Sequence, residues 1–239
     1  MACLLLLTSI FLQPSALLPL AEQLTGRGHQ VEVQGADPGE GAKEALEQYS
    51  AALDGLRLKV EAEPVLVIAH SNAGAYLPSL LDRFPGTRAI FLDAILPPFD
   101  GRSLALVPAT LGEPLRGRAE AGLLPRWSRW WPRASVRALV DSDADFAQLD
   151  EHCPRVAASY VDERLPVPAG WSAQAAAGYL LLSDGYLGDW ERAVGSGWPA
   201  QRLQLGHLGF LRDPGQVALA LDHLSERLTG RDDTGGGVQ

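Results

Sequence analysis

The serine of "VLVIAHSNAGAYLPSLL", residues 65–81, stands where nucleophilic chemistry would place it. An apolar run leads into His70, Ser71 and Asn72, and Ala73 and Gly74 precede a helical pattern. A strand that turns at once into a helix strains its turn residue and projects that side chain from the sheet edge. Strand and helix backbones nearly touch there, so the neighbours two residues away must be small, as Ala69 and Ala73 are. Backbone N–H groups opening the helix after Ser71 could hold an oxyanion. The plain alternative is an ordinary βα turn carrying a structural serine.

A serine attacks only when a base takes its proton. His29 precedes a strand at the opposite sheet edge, His152 lies in a long insertion, and His223 is inside the last helix. The His70 side chain is expected to point away from that of Ser71. His207 directly follows a strand in "GHLG" and precedes a helix, which puts it on the same edge as Ser71. A carboxylate must then orient the imidazole and stabilise its charged form. Asp93 ends "RAIFLD" and Asp184 ends "LLLSD". After so apolar a strand Asp93 is expected to be partly buried and in need of a partner. Asp184 lies in the short polar turn "SDGYLGD", which its carboxylate can cap. Asp93 is therefore the expected acid and Asp184 the alternative.

Several elements must bring these residues together. Apolar runs predict strands at 2–7, 30–35, 65–69, 88–98, 178–182 and 201–206. Helices are expected from Ser15 to Leu24, over 40–56 with Leu46, Tyr49, Leu53 and Leu56 on one face, and after Ser71 with Leu77, Leu80, Leu81 and Phe84 on one side. Pro78 falls inside that last pattern and should bend it. A final helix begins with Asp213 as N-cap and Pro214 in its first turn. Alternating strands and helices imply a mostly parallel sheet covered on both faces. Residues 97–172, rich in Pro, Arg and Trp and without a clear strand, read as a helical cap over the C-terminal edge of the sheet.

The formal net charge of −9 argues against a nucleic-acid binder. Cys3 and Cys153 form no metal or disulfide framework and read as free thiols of a reducing compartment. No basic residue precedes Arg27, and Pro14 and Pro19 interrupt the apolar N-terminus, so it reads as strand, loop and helix rather than a signal peptide or a membrane span. The expected location is the cytoplasm. Arg far outnumbers Lys, whose only positions are 43 and 59, and this suggests a GC-rich, actinobacterial source. Phosphate-loop, dinucleotide and metal-ligand spacings are lacking, so no cofactor and no metal are expected.

The segments "HSNAG", "LDAILP" and "GHLGFLRDP", in that order, resemble the α/β-hydrolase superfamily, most closely its small esterase and hydroxynitrile-lyase-like branch. The resemblance covers nearly the whole chain, least well the cap. It implies an α/β-hydrolase fold, with a mostly parallel six-stranded sheet, helices on both faces and an inserted helical cap. The core would be 1–96 and 173–230, the cap 97–172, and 231–239 a flexible tail. It also implies the catalytic histidine position at His207. The acid most often follows the later strand in this superfamily, which favours Asp184, although several members carry it where Asp93 stands. The second oxyanion donor usually comes from a His-Gly pair after the first strand. This chain has Thr8-Ser9-Ile10-Phe11 instead, so the Ile10 N–H matches by position, beside that of Asn72.

Phe11 and Leu12 are expected to wall the pocket. Trp127, Trp130 and Trp131 either pack the cap or roof an apolar acyl group. Arg126, Arg129 and Arg133 form a solvated face or attract an anionic group or an acidic carrier protein. The expected function is a serine esterase or thioesterase with Ser71, His207 and Asp93 as its triad. An acyltransferase with a non-water acceptor, an acid–base lyase and a non-catalytic binding protein are the alternatives. The expected partner is a small apolar or aromatic acyl substrate, delivered free or on an acyl carrier, with no nucleic acid and no membrane; a homodimer is left open.

Overall fold

A computed structural model describes residues 1–39, 41–60 and 64–229. The expected tail, 231–239, and the first residue of the expected 40–56 helix lie outside the described residues. The first half alternates β1 (Cys3–Leu7), α1 (Leu18–Gly26), β2 (Gln30–Gln34), α2 (Ala42–Lys59), β3 (Val65–His70), α3 (Leu77–Arg83) and β4 (Arg88–Leu92). An insertion follows with β5 (Leu104–Ala105), α4 (Ala109–Arg116), α5 (Arg133–Arg137), α6 (Asp143–His152), β6 (Arg164–Leu165) and α7 (Trp171–Gln174). The chain then rejoins the sheet through β7 (Ala176–Leu181), α8 (Leu187–Gly195), β8 (Ala200–Arg202), α9 (Gly209–Arg212) and α10 (Pro214–Thr229).

The main sheet has six parallel strands in the order β2-β1-β3-β4-β7-β8. Its central strands are apolar except at their ends, His70 of β3 and Arg88 of β4, because both faces are covered, and every residue of β1 and β3 is buried. On one face pack α2, α3 and α8, with Leu46, Tyr49, Leu53, Leu56, Leu77 and Leu80 in the core. On the other pack α1 and α10, with Leu20, Leu24, Val217, Leu221 and Leu224. The edge strands are the short β8 and the half-exposed, polar β2, a composition that discourages pairing with another sheet.

Register sets the level of the site. His70 pairs with Leu92, and Leu92 with Leu180, so Ser71 and Asp93 leave neighbouring strands side by side at the C-terminal edge.

Two local expectations are corrected. Pro78 does not kink a helix interior. Residues Ser71–Tyr76 form a 3-10 helix, the α-helix begins at Leu77, and Pro78 sits in its first turn, where no backbone N–H is needed. The insertion does contain strands: β5 and β6 form a two-residue antiparallel ribbon, too short to show period-two alternation. Asp213 caps α10 as expected, its Oδ1 accepting the Gln216 N–H at 2.9 Å. No helix among the described residues is long and apolar enough to cross a membrane.

Candidate active site

Ser71 has φ +58°, a left-handed conformation unusual outside glycine. Crowding holds it there. A Cβ on Gly74 would lie 2.5 Å from the Ile95 carbonyl oxygen, so only glycine lets the loop after β4 lie against the elbow. The Ile95 N–H donates to the Ser71 carbonyl at 3.1 Å across the same contact.

Asp93 also has a positive φ, +44°, and its side chain is 0% exposed. Oδ1 accepts the N–H groups of Leu182 and Ser183, each at 2.8 Å. Oδ2 accepts the Ser183 hydroxyl at 2.6 Å and His207 Nδ1 at 2.7 Å. Burial pushes the Asp93 pKa up, but the His207 hydrogen bond and charge and the Ser183 and Leu182 donors outweigh it and hold the carboxyl below its ordinary value. The group is thus an ionised acceptor at neutral pH. An Nδ1–H donated to this carboxylate leaves Nε2 of His207 as the unprotonated acceptor a nucleophilic serine requires.

The His207 loop is fixed from two strands. Gly206 turns with φ +80° and donates its N–H to the Leu182 carbonyl at 2.9 Å. Nε2 of His70, the residue before the elbow serine, donates to the His207 carbonyl at 3.2 Å. The His70 ring packs against that of His207 with centroids 4.6 Å apart. Burial, with His207 nearby, lowers the His70 pKa to about 3, so His70 is a neutral strut.

Asp184 is placed elsewhere. Its side chain is 82% exposed and pairs with Arg202 at 2.7 Å. The structure therefore brings Asp93, and not Asp184, to His207. His29 pairs with Asp222 and His152 with Ser15, away from the elbow.

The first βα loop forms a turn in which the Leu12 N–H donates to the Ser9 carbonyl at 3.0 Å and the Phe11 N–H to the Ser9 hydroxyl at 3.3 Å. Ile10, between them, has no hydrogen-bond partner for its N–H among the described residues. Ser9 thus shapes this turn without the His-Gly pair.

Asn72 is clamped through its side chain. Nδ2 donates to the Leu106 carbonyl at 2.9 Å, and Oδ1 accepts the Tyr160 hydroxyl at 2.6 Å. The Tyr76 hydroxyl lies 2.9 Å from that of Tyr160 and donates to it, because the Tyr160 proton is already committed. Tyr160 also meets the Phe11 ring edge-on, with centroids 5.4 Å apart. One inserted tyrosine therefore touches both the turn after β3 and the loop after β1.

A cavity of about 590 Å³ opens over Ser71, Asn72 and His207. Phe11, Trp127, Trp130 and Trp131 line it, together with Leu104–Pro108, Leu111 and Leu139 of the insertion. Leu12 instead lines an adjoining crevice of about 10 Å³ with Ser9, His70 and Ser71. Trp127 and Trp130 pack against the core while also facing the cavity. The arginines beside them are engaged, Arg126 and Arg129 with Asp150 and Arg133 with Asp143.

Sequence reasoning missed Tyr186. Its hydroxyl lies 3.2 Å from Ser71 Oγ, and its ring stacks on His207 at 5.5 Å and 25°. Burial raises the phenol pKa to about 12, so it stays protonated. Ser71 Oγ makes its hydrogen bond with Tyr186 rather than with His207 in this state. The only hint was a tyrosine two residues beyond the rejected Asp184. Tyr160 and Ser183 gave no pattern at all.

The sequence matches no family model and no curated protein. Solved structures match closely in fold. An extracellular α/β-hydrolase from a Paenibacillus species, described as sharing structural and functional homology with tobacco salicylic acid binding protein 2, superposes with TM-score 0.74 and 17% identity over 95% of this chain and 99% of its own. Polyneuridine aldehyde esterase matches with TM-score 0.71 and 15% identity, over 94% and 99% of the two chains. Tomato methylketone synthase I, solved with 2-tridecanone, matches with TM-score 0.71 and 12% identity, over 95% and 98%. The chain has the α/β-hydrolase fold.

Proposed function

We propose that the protein is a serine esterase that cleaves small esters or thioesters through a seryl-acyl intermediate. The observation that carries this reading is the strained Ser71, φ +58°, opening into the same cavity as His207, whose Nδ1 is tied to Asp93 at 2.7 Å. Esterases among the structural neighbours support the same reaction class.

In the proposed cycle, Ser71 Oγ turns to His207 Nε2 and attacks the substrate carbonyl as its proton passes to the imidazole. Asp93 stabilises the imidazolium without taking the proton. The N–H groups of Asn72 and Ile10 hold the oxyanion, where preorganised donors cost no reorganisation during reaction. His207 then protonates the leaving group, and water reverses the sequence to release the acid. The insertion, 97–172, acts as the cap, and its tryptophans favour an apolar or aromatic acyl group. The cap arginines already pair with Asp150 and Asp143, so the proposed substrate is a free small molecule rather than a carrier-bound one.

Fluorophosphonate treatment with mass mapping tests this. Labelling at Ser71, absent from Ser71→Ala and lost or strongly slowed in His207→Ala, is the expected result. A folded protein that takes no label overturns covalent catalysis and favours an acid–base lyase or a non-catalytic binding role. An acyl-labelled product made from an added alcohol or thiol in preference to water would instead identify an acyltransferase.

A further inference from the structure

We infer that Tyr186 is a catalytic residue that hydrogen-bonds the departing group, which makes esters of ordinary alcohols, with poor leaving groups, the natural substrate class. This rests on the esterase reading above. The Tyr186 hydroxyl is 3.2 Å from Ser71 Oγ, and any carbonyl carbon bonded to that oxygen brings its substituents within reach of the phenol.

The side of approach follows from two contacts. The oxyanion donors are the backbone N–H groups of Asn72 and Ile10, whose loops are joined by Tyr160 of the insertion. Tyr186 instead stacks on the His207 ring, so its hydroxyl stands with the imidazole that delivers the leaving-group proton. Tyr186 also lines the cavity with Ser183, Gly185 and Asp189, a more polar wall than the tryptophans provide. The alkoxy part of the ester belongs on this polar wall and the acyl part beneath Trp127, Trp130 and Trp131.

The proton balance is simple. As the Ser71 Oγ–carbon bond forms, the serine proton moves to His207 Nε2. As the carbon–oxygen bond to the alcohol breaks, that same proton moves from Nε2 to the departing oxygen. Tyr186 keeps its own proton throughout, because burial holds its phenol weakly acidic. It first donates to Ser71 Oγ and then to the departing oxygen as negative charge develops there, where a charge-assisted hydrogen bond is stronger than a neutral one.

Tyr186→Phe keeps the ring that stacks on His207 and removes only the hydroxyl. The test compares ethyl butyrate with p-nitrophenyl butyrate, which share an acyl group and differ in leaving group. The expected result is a fall of about 10- to 100-fold in kcat/KM for the ethyl ester. For the nitrophenyl ester, whose leaving group needs no proton, the expected change is within about threefold. Fluorophosphonate labelling of Ser71 should persist in the variant, since that leaving group is also a stable anion.

Equal losses on both esters overturn the inference and leave Tyr186 as a positioning residue. A gain on both overturns it too, and makes the phenol a restraint that keeps Ser71 from His207. If the unaltered protein labels at Ser71 but does not turn over ethyl butyrate, the inference fails while the esterase reading stands. If it neither labels nor hydrolyses either ester, both fall.

Discussion

The ends of β4 and β7 lie side by side at one sheet edge, and each delivers an aspartate. Asp93 comes directly after β4, fully buried, with four donors on its two oxygens. Asp184 comes three residues after β7, mostly in water, with one arginine partner. The difference lies in the backbone. Asp93 takes a left-handed φ of +44°, and its carboxylate meets the Leu182 and Ser183 N–H groups of the neighbouring strand end. The end of β7 supplies donors to its neighbour's acid, and its own carboxylate faces solvent. Proximity to the edge is therefore not enough to orient an imidazole; the acid must also find fixed donors that keep it ionised when buried.

The strongest way to break this contrast is to neutralise each acid. Asp93→Asn should lower kcat on any ester that labels Ser71 by about 10⁴-fold, because the amide can hold the wrong imidazole tautomer. Asp184→Asn removes only an exposed ion pair and should stay within about twofold. Steady-state rates of the two purified variants decide it, and a large loss confined to Asp184→Asn would reverse the assignment.

Acid titration sharpens the comparison between the ends of β3 and β4. The His70 pKa is lowered from 6.5 to about 3 in the folded protein, so unfolding takes up a proton once the pH drops below 6.5. Its contribution to stability is complete above 6.5 and is lost as the pH falls toward 3, at up to about 1.4 kcal/mol per pH unit. The Asp93 pKa is lowered from 3.8, so its contribution is complete above that value and lost only below it. Urea midpoints between pH 8 and pH 4.5 should therefore fall in the unaltered protein and flatten in His70→Phe. In Asp93→Asn the slope across that range should persist. An unchanged slope in His70→Phe would assign the acid sensitivity to another group.

What the sequence made legible divides along the same line. The alternation of strands and helices, the Ser71 elbow, the His207 loop and the burial of Asp93 behind an apolar strand could be read because each is local: a strand, a turn or a small residue within a few positions. Ser183, Tyr186 and Tyr160 could not, because their roles arise from contacts across about ninety or more positions of sequence, such as Tyr160 to Asn72 and Ser183 to Asp93. The insertion hid its strands for another reason. Two-residue strands leave no alternation to detect, and its Trp127–Arg129 turn is a three-residue 3-10 helix, too short to leave a helical period.

The clamp from the insertion gives a smaller effect. Tyr160→Phe keeps the edge contact with Phe11 but leaves Asn72 Oδ1 without its donor, costing about 1–3 kcal/mol of stability. A loosened Asn72 N–H should lower kcat by about tenfold with little change in KM, because the oxyanion exists only beyond the ground state. A rise in KM at constant kcat would show that Tyr160 shapes the cavity and does not hold the oxyanion side.

Strain at the β3 end yields the smallest change and the one of opposite sign. Ser71 and Asp93 both hold left-handed backbones, but the Asp93 conformation is compensated by the hydrogen bonds its side chain makes. Among the described residues the Ser71 side chain hydrogen-bonds only to Tyr186, so its conformation is stabilised little by the residue itself. Ser71→Gly should therefore abolish labelling and raise stability by about 0.5–1 kcal/mol, the relief of an unfavourable φ less the extra chain entropy of glycine. Asp93→Gly, at an equally left-handed position, should destabilise, because it strands the donors of Leu182, Ser183 and His207 in the interior. Chemical denaturation of the two glycine variants separates a backbone strained for chemistry from one supported by its own side chain. Equal destabilisation by both would mean that the elbow serine is held as firmly as the buried acid.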